Sequence, residues 1–122
     1  MRPTFSWADL PGRRVGIYGL GREGEASLRA SLERGVEPVL VDDVPRPEGT
    51  EATGGRPVVG TAAGGLEALR DCEIVIKSPG ISRYRDDLRG LEAAGVPVVG
   101  GLGLWLAGAD LVRVVCVTGT KG

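Results

Sequence analysis

The sequence predicts an α/β fold, a single small domain in which a parallel sheet is wound with crossover helices. Short β-branched runs alternate along the chain with stretches of helical spacing, which is the pattern of strands joined by helices. Glycine occupies 21 of the 122 positions while aromatic residues make up only 4%, which favours close backbone packing over an aromatic-rich β-sandwich. A chain of this length buries about two thirds of its unfolded surface, enough for one core.

Six short runs are the strand candidates. Each is rich in valine or isoleucine, as strands buried on both faces of a parallel sheet are. They are Arg14 to Tyr18, Pro38 to Val41, Val58 to Val59, Ile74 to Lys77, Val96 to Val99 and Val112 to Val117.

Four stretches are the helix candidates: Gly24 to Arg34, Gly65 to Arg70, Tyr84 to Ala94 and Leu102 to Ala107. The first ends at Gly35, which supplies a left-handed stop, so the first two strands enclose a βαβ unit. The third places Leu88 and Leu91 on one side and charges on the other, and Gly95 closes it. The stretch Asp43 to Pro57 is rich in proline and glycine and is predicted to be a loop.

The composition excludes several classes of protein. Acidic and basic residues nearly cancel, with a net charge of -1, so nucleic acid is not expected as a partner. No apolar run approaches the roughly 20 residues that cross a bilayer. The start of the chain also lacks the apolar core of a secretion signal. We therefore expect a cytoplasmic protein without a membrane partner.

Residues of the kinds that carry catalysis or bind metals are scarce. The chain has no histidine, which removes the commonest general base and metal ligand, and with them any Ser-His or Cys-His mechanism contained within these residues. Cys72 and Cys116 lie beside or inside strand candidates without Cys-x-x-Cys spacing, so we expect core thiols and neither a disulfide nor a metal site. No catalytic residue is predicted.

The most informative motif is Gly-Leu-Gly-Arg-Glu-Gly at positions 19–24, between the first strand and the first helix. This is the G-x-G-x-x-G pattern of Rossmann-like folds in its expected context. Gly19 permits the tight turn, Gly21 leaves room for a diphosphate at the backbone, and Gly24 lets the helix pack on the strand. Free amides at the helix start attract an anion. A nucleotide or diphosphate ligand is therefore favoured over a purely structural turn.

Charged residues lie beside this motif. Asp42 and Asp43 end the second strand about 20 residues after the glycines, where a dinucleotide fold places an acid on a ribose hydroxyl. The alternative is that they cap a loop or face water. The Glu23 carboxylate would be repelled by a bound diphosphate. Our hypothesis is that Arg22 or the backbone, and not the Glu23 carboxylate, meets the phosphates.

The fourth strand runs into a sharp turn, Ser-Pro-Gly-Ile at positions 78–81. Such a turn lies at the carboxyl edge of the sheet, where open α/β folds bind ligands. Lys77, which precedes the turn, either approaches a phosphate or is a solvated strand end, and the second is slightly favoured.

The final run, Val-Thr-Gly-Thr-Lys-Gly at positions 117–122, reads as the opening of a phosphate-binding loop. Such a loop combines a glycine-rich turn with a lysine and a hydroxyl that open the next helix. Here the strand and the glycine turn are present, but the lysine and the hydroxyl residue that follow the last glycine of such a loop, and the helix that they open, are not among these residues. We expect that residues 1–108 form one domain, that residues 109–122 begin an ATP-binding one, and that the chain is part of a longer protein. An ordinary surface tail is the alternative.

Together, the glycine loop, the strand end at Asp42, the turn at 78–81 and the final run resemble the amino-terminal domain of Mur ligases, in their glutamate-adding branch. The resemblance covers essentially the whole chain. It implies that this domain holds the UDP part of UDP-N-acetylmuramoyl-L-alanine, while further domains bind ATP, Mg²⁺ and glutamate. It also implies an acyl phosphate, formed with ATP, that the glutamate amine attacks. No residue of this chain would perform that step.

The resemblance also implies which residues meet each ligand. The diphosphate residues are Gly21, Arg22, Glu23 and Gly24; the uracil residues are Asp42, Asp43 and Gly80; the ATP phosphate residues are Gly119, Thr120, Lys121 and Gly122. The backbone amides of Arg22 and Glu23 are the expected hydrogen-bond donors to the diphosphate. The chain by itself is expected to be monomeric, to bind UDP weakly, and to bind neither ATP nor Mg²⁺.

Other functions stay open. An NAD-binding domain of a dehydrogenase or of a cation-channel regulatory subunit also explains the glycine loop and Asp42, but it gives no reason for the final run after the turn at 78–81. A scaffold whose glycine loop binds nothing is the third possibility. Within the ligase interpretation, Lys121 and the Gly-Arg-Glu-Gly loop resemble a branch that adds L-glutamate instead of D-glutamate. Both isomers stay open, because other domains set the stereochemistry.

Overall fold

Five short strands and three α-helices make up the fold of the computed structural model, which describes residues 7–49, 51–81 and 85–101. The elements are β1 (Val15–Tyr18), α1 (Arg22–Glu33), β2 (Val39–Asp42), β3 (Val59–Gly60), α2 (Gly65–Arg70), β4 (Ile74–Lys77), α3 (Asp86–Ala93) and β5 (Val98–Gly100). The strands form one parallel sheet in the order β3-β2-β1-β4-β5. The predicted α/β fold with a parallel sheet and crossover helices is confirmed.

The element boundaries follow the local chemistry of the backbone. The predicted bounds of β4 and α2 are confirmed, and the other strands shift by one or two residues. The strand predicted from Val96 begins only at Val98, because Pro97 has no N–H to donate to a neighbouring strand. Gly35 and Gly95, the predicted helix stops, have φ values of +76° and +89°.

The predicted starts of α1 and α3 were each wrong by two residues. α1 begins at Arg22 instead of Gly24, because Gly21 is extended and its carbonyl accepts the first helical hydrogen bond, 2.9 Å from the Glu25 nitrogen. α3 begins at Asp86, since Arg85 before it is extended. The predicted strand at 112–117, the helix at 102–107 and the domain boundary near 108 lie outside the described residues.

The sheet is buried on both faces, which explains its near-continuous apolar strands. One face packs against α1, and its buried residues include Ile17, Leu28 and Ile76. The other face packs against α2 and α3, with Tyr18 and Leu88 among its buried residues. Helices on both faces leave the ends of the strands as the open edges of the domain.

The strand order places a crevice at the carboxyl end of β1. After β1 the chain moves outward to β2 and β3, and it then returns to β4 on the other side of β1. The connections that leave β1 and β4 therefore run to opposite faces of the sheet. Open α/β sheets bind ligands in the crevice between two such connections. Two backbone hydrogen bonds join the strand ends here, from Gly19 to Val41 at 2.8 Å and from Ser78 to Tyr18 at 2.9 Å.

Three glycines of the loop at 19–24 have different structural roles. Gly19 has a φ of +95°, and a Cβ there would lie 2.7 Å from the Cβ of Ser78. A Cβ on Gly24 would collide with the carbonyl oxygen of Gly19. The predicted tight turn and close helix packing are thereby confirmed. A Cβ on Gly21 would meet no atom within 4 Å, so nothing within the described residues requires glycine there.

The difference between Gly24 and Gly21 can be tested by alanine substitution. We expect Gly24→Ala to lower the free energy of unfolding by about 1–3 kcal/mol, because the added methyl group must displace backbone. Gly21→Ala should cost less than about 1 kcal/mol, since glycine is only moderately better than alanine at a helix N-cap. Urea unfolding followed by circular dichroism measures both values. Equal costs for the two variants would contradict this account of the loop.

Candidate functional site

The first turn of α1 offers unpaired backbone amides at the crevice. The amides of Arg22, Glu23 and Gly24 have no intrahelical acceptor, and none of the three donates a hydrogen bond to any described residue. The side chains of Arg22 and Glu23 are exposed and Gly21 before them is open to solvent. The positive end of the helix dipole adds to the attraction of these amides for an anion. The geometry at this loop suits a phosphate group.

The peptide groups of Leu20, inside the glycine loop, are held by two side chains from the end of β2 and the loop after it. The Asp42 carboxylate accepts the Leu20 N–H at 2.8 Å, and the Arg46 guanidinium donates to the Leu20 carbonyl at 2.6 Å. Arg46 also pairs with Glu25 on α1, at 3.3 Å. These contacts fix the loop in the conformation that exposes the amides. Arg46 was not predicted from the sequence, because nothing in a proline-rich loop marks one arginine as structural.

Asp42 has the loop-capping role that the sequence analysis treated as the alternative to ligand binding. Its second carboxylate oxygen accepts the N–H of Asp43 at 2.7 Å. Both oxygens of Asp42 therefore already accept a backbone hydrogen bond. A carboxylate has about four acceptor positions, so capacity for a ligand hydroxyl is still present.

Asp43 belongs to a group of polar side chains that we call the Arg85 network, formed by Tyr18, Asp43, Thr61, Arg85 and Asp87. Arg85 donates to both Asp43 oxygens, at 2.9 and 3.1 Å, and to Asp87 at 3.0 Å. Thr61 donates to Asp43 at 3.1 Å, and the Tyr18 hydroxyl donates to Asp87 at 2.5 Å. The Arg85 guanidinium also lies 5.5 Å from the centre of the Tyr18 ring. The network joins the ends of β1 and β2 to the start of α3.

The contacts of the Arg85 network shift the pKa values of Asp43, Tyr18 and Arg85. Hydrogen bonds from Arg85 hold the pKa of Asp43 below its usual value of 3.8. Burial, followed by the hydrogen bond to Asp87, raises the pKa of Tyr18 above its usual value. The hydrogen bond to Asp43 raises the pKa of Arg85 further. At neutral pH the network therefore contains an ionised Asp43, a charged Arg85 and a protonated Tyr18.

The turn at 78–81 forms the opposite side of the crevice. The Ile81 N–H donates to the Ser78 carbonyl at 3.0 Å, and the Lys77 ammonium donates to the Ile81 carbonyl at 3.1 Å. Lys77 ends β4, as expected, but it is only partly exposed and its ammonium holds the turn instead of extending into solvent. Gly80 lies exposed at the tip of the turn.

The residues predicted for the UDP site lie at the carboxyl ends of three neighbouring strands. The glycine loop follows β1, Asp42 and Asp43 end and follow β2, and Gly80 follows β4. The sheet therefore collects these separate parts of the sequence at one edge. The predicted ATP phosphate residues, 119–122, lie outside the described residues.

Three further structural features bear on the cysteines, on membrane spans and on metal ligands. Cys72 is buried, and burial raises the pKa of its thiol, which confirms a core thiol; Cys116 lies outside the described residues. Within the ranges that the structure describes, no helix is both long and apolar enough to span a bilayer. Among these same residues, no three histidine, cysteine or acidic side chains form a potential metal site.

A parallel sheet with its glycine loop between β1 and α1, and with ligand-accessible amides at the strand-order switch, defines a Rossmann-like α/β domain. Residues 13–100 match the family described as "Mur ligase MurD-like, N-terminal domain". The chain belongs to this family. The resemblance seen in the sequence motifs is thereby confirmed.

Similar proteins include ligases named for both isomers of glutamate. The chain is 39% identical to the UDP-N-acetylmuramoylalanine--D-glutamate ligase of Rubrobacter xylanophilus, a match that covers 90% of the chain and 25% of that ligase. It is 37% and 38% identical to the UDP-N-acetylmuramoyl-L-alanine--L-glutamate ligases of Xanthomonas axonopodis pv. citri and Salinispora tropica, over 94% of the chain and 26% of each ligase. The chain spans about a quarter of the length of these curated relatives.

The capping role of Asp42 can be tested by removing its carboxylate. We expect Asp42→Ala to lower the free energy of unfolding by about 1–3 kcal/mol, because the buried Leu20 N–H loses its acceptor. Hydrogen exchange at the Leu20 amide, followed by NMR, should accelerate by more than global unfolding alone explains. Asp42→Asn keeps one acceptor oxygen and should show a smaller effect. Unchanged protection of the Leu20 amide in Asp42→Ala would refute the capping role.

The ionisation of Asp43 gives a prediction about pH. Its pKa is lowered in the folded state, so its ion pair stabilises the fold above the unfolded pKa near 3.8, and this contribution is lost as the pH falls through the folded pKa. We expect Arg85→Gln to raise the Asp43 pKa towards 3.8, as measured by carboxyl ¹³C NMR. Arg89→Gln, which removes a charge from an exposed position of α3, should leave the Asp43 titration unchanged.

Proposed function

We propose that this chain is the UDP-binding domain of a glutamate-adding Mur ligase, and that it holds UDP-N-acetylmuramoyl-L-alanine by the UDP end. One observation carries the proposal most directly. The unpaired amides of the first turn of α1 lie beside Gly21, where a Cβ would meet no atom of the described residues within 4 Å. The space left by this glycine is explained if a diphosphate approaches the backbone there.

Backbone amides are the principal donors to the diphosphate in this proposal. Arg46 is already paired with Glu25 and with the Leu20 carbonyl, so its charge is largely offset within the protein. The Glu23 carboxylate is exposed and can turn towards solvent when the anion binds. Arg22, which is also exposed, is the one side chain of the first turn whose charge favours a phosphate.

The uracil lies, in this proposal, between the end of β2 and the turn after β4. Asp43 and Gly80 belong to these two segments, and β1 with its glycine loop lies between their strands. A UDP molecule placed with its diphosphate at α1 can extend its nucleoside across the crevice. The ribose acid of the NAD alternative would be Asp42, whose two oxygens each accept a backbone N–H and keep capacity for a ribose hydroxyl. Ligand titration, and not these contacts, therefore distinguishes UDP from NAD.

For the whole protein we propose ATP-dependent amide formation in peptidoglycan synthesis. The carboxylate of the substrate would be phosphorylated by ATP, with Mg²⁺, and the amine of glutamate would attack the resulting acyl phosphate and release phosphate. Residues 119–122 would contribute to the ATP phosphate loop. The relatives are named for D-glutamate and for L-glutamate, and we assign neither isomer to this chain. In this proposal the groups for phosphoryl transfer belong to other parts of the protein, so the chain alone is expected to be inactive.

Ligand titrations followed by NMR test the UDP site. We expect UDP to shift the amide signals of Arg22 and Glu23, because these amides would donate to the diphosphate, and NAD to shift them far less. Gly21→Ala should weaken UDP binding about tenfold or more, equivalent to about 1.4 kcal/mol. Gly90→Ala is the matched control, because a Cβ there would also meet no atom within 4 Å in the part of the chain that the structure describes, and its helix, α3, is not the proposed phosphate site.

Three results would decide against parts of this proposal. Selective shifts with NAD around Gly21 would contradict the ligase function, and no shifts with either nucleotide would support a scaffold. Unchanged UDP affinity in Arg22→Ala, measured by calorimetry, would limit phosphate binding to the backbone.

A further inference from the structure

We propose that Arg85 is a positioning residue for the nucleoside end of the ligand, and that it acts by holding Asp43 at the end of β2. This inference rests on the function proposed above and extends it to a residue that no sequence motif marks. Arg85 immediately precedes α3, and Asp43 immediately follows β2. Their ion pair links segments that are 42 residues apart in the chain.

The geometry of this ion pair indicates that it orients the Asp43 carboxylate more than it stabilises the fold. The guanidinium donates to both carboxylate oxygens of Asp43, at 2.9 and 3.1 Å, and a bidentate pair fixes the relative direction of its two planes. The two side chains are 34% and 47% exposed, however, and partly exposed ion pairs add only about 0–1 kcal/mol to stability. The pair therefore contributes more to the position of Asp43 than to the folding free energy.

The other members of the network hold Arg85 in place. Asp87 accepts a hydrogen bond from Arg85 at 3.0 Å and another from the hydroxyl of Tyr18 at 2.5 Å. Tyr18 is fully buried at the end of β1, so its ring cannot move without disturbing the core. Because the guanidinium also lies over this ring, the direction of Arg85 is set by the sheet itself.

Asp43 is consequently held by the protein and is not free to follow a ligand. It accepts two hydrogen bonds from Arg85 and one from Thr61, which fills about three of the four acceptor positions of a carboxylate. Its charge is neutralised by Arg85, which lowers the repulsion that an anionic nucleotide would meet at this edge. A rigid, neutralised end of β2 is a surface against which a uracil and its ribose can pack.

Binding to UDP, uridine and inorganic pyrophosphate, measured by NMR titration of the 122-residue chain, separates the nucleoside end from the phosphate end. We expect Arg85→Gln to weaken UDP and uridine binding about fivefold and to leave pyrophosphate binding unchanged. Gly21→Ala should instead weaken the binding of UDP and pyrophosphate and leave uridine binding unchanged. Arg89→Gln, the charge-matched control on α3, should change none of the three.

A double-mutant cycle tests whether Arg85 acts through Asp43. In an Asp43→Asn background, Arg85→Gln should change uridine affinity by less than about twofold. Arg85→Lys keeps the charge but not the planar fork, and it should still lose uridine affinity; it also serves as the second variant if Arg85→Gln does not fold.

Uridine affinity equal to wild type in folded Arg85→Gln and Arg85→Lys would overturn the inference. An equal loss of uridine and pyrophosphate affinity in these variants would also overturn it, as would a loss of uridine affinity from Arg85→Gln that is just as large in the Asp43→Asn background. If the unmodified chain binds neither UDP nor uridine, the proposed function itself fails and this inference fails with it. UDP binding that is insensitive to Arg85 would instead leave the proposed function standing and remove the inference alone.

Discussion

The close approach of α1 to the end of β1 is the constraint on which the rest of the domain depends. The first turn of the helix packs directly against the carbonyl oxygen of Gly19, in space that any side chain at position 24 would fill. Because the helix starts there, its unpaired amides point at the crevice beside β1, and its buried face covers one side of the sheet. The fold and the candidate anion site thus follow from the same backbone contact.

Side chains from other parts of the chain hold the glycine loop beside that contact and balance the charges at this end of the sheet. Asp42 and Arg46 hold the amide and the carbonyl of Leu20, and Arg85 pairs with the acid that follows β2. Arg46 also pairs with Glu25 and Arg85 pairs with Asp43, so each arginine offsets a carboxylate next to the place proposed for an anionic ligand. The edge of the sheet can therefore contain several acidic residues without repelling a nucleotide.

The proposed function assigns recognition to this domain and bond formation to other parts of the enzyme. The chain belongs to the MurD-like amino-terminal family and spans about a quarter of the length of its curated relatives. Its described residues offer amides, an open glycine and a positioned acid, which are groups that bind and orient. In that proposal, selection between D-glutamate and L-glutamate would be made where the amino acid binds, which would account for the similarity of this domain in relatives named for either isomer.

The sequence by itself determined the parallel α/β class, the bounds of β4 and α2, the glycine stops at positions 35 and 95, and the roles of Gly19 and Gly24. These features depend on φ values, on β-branching and on steric contacts between residues close in the chain, so a few residues encode each of them. Only the tertiary structure decided the strand order, the capping role of Asp42, and the contacts of Arg46 and Arg85. Those contacts join residues that lie 22, 26 and 42 positions apart, and no local pattern specifies a partner at such a distance before the sheet has brought the segments together.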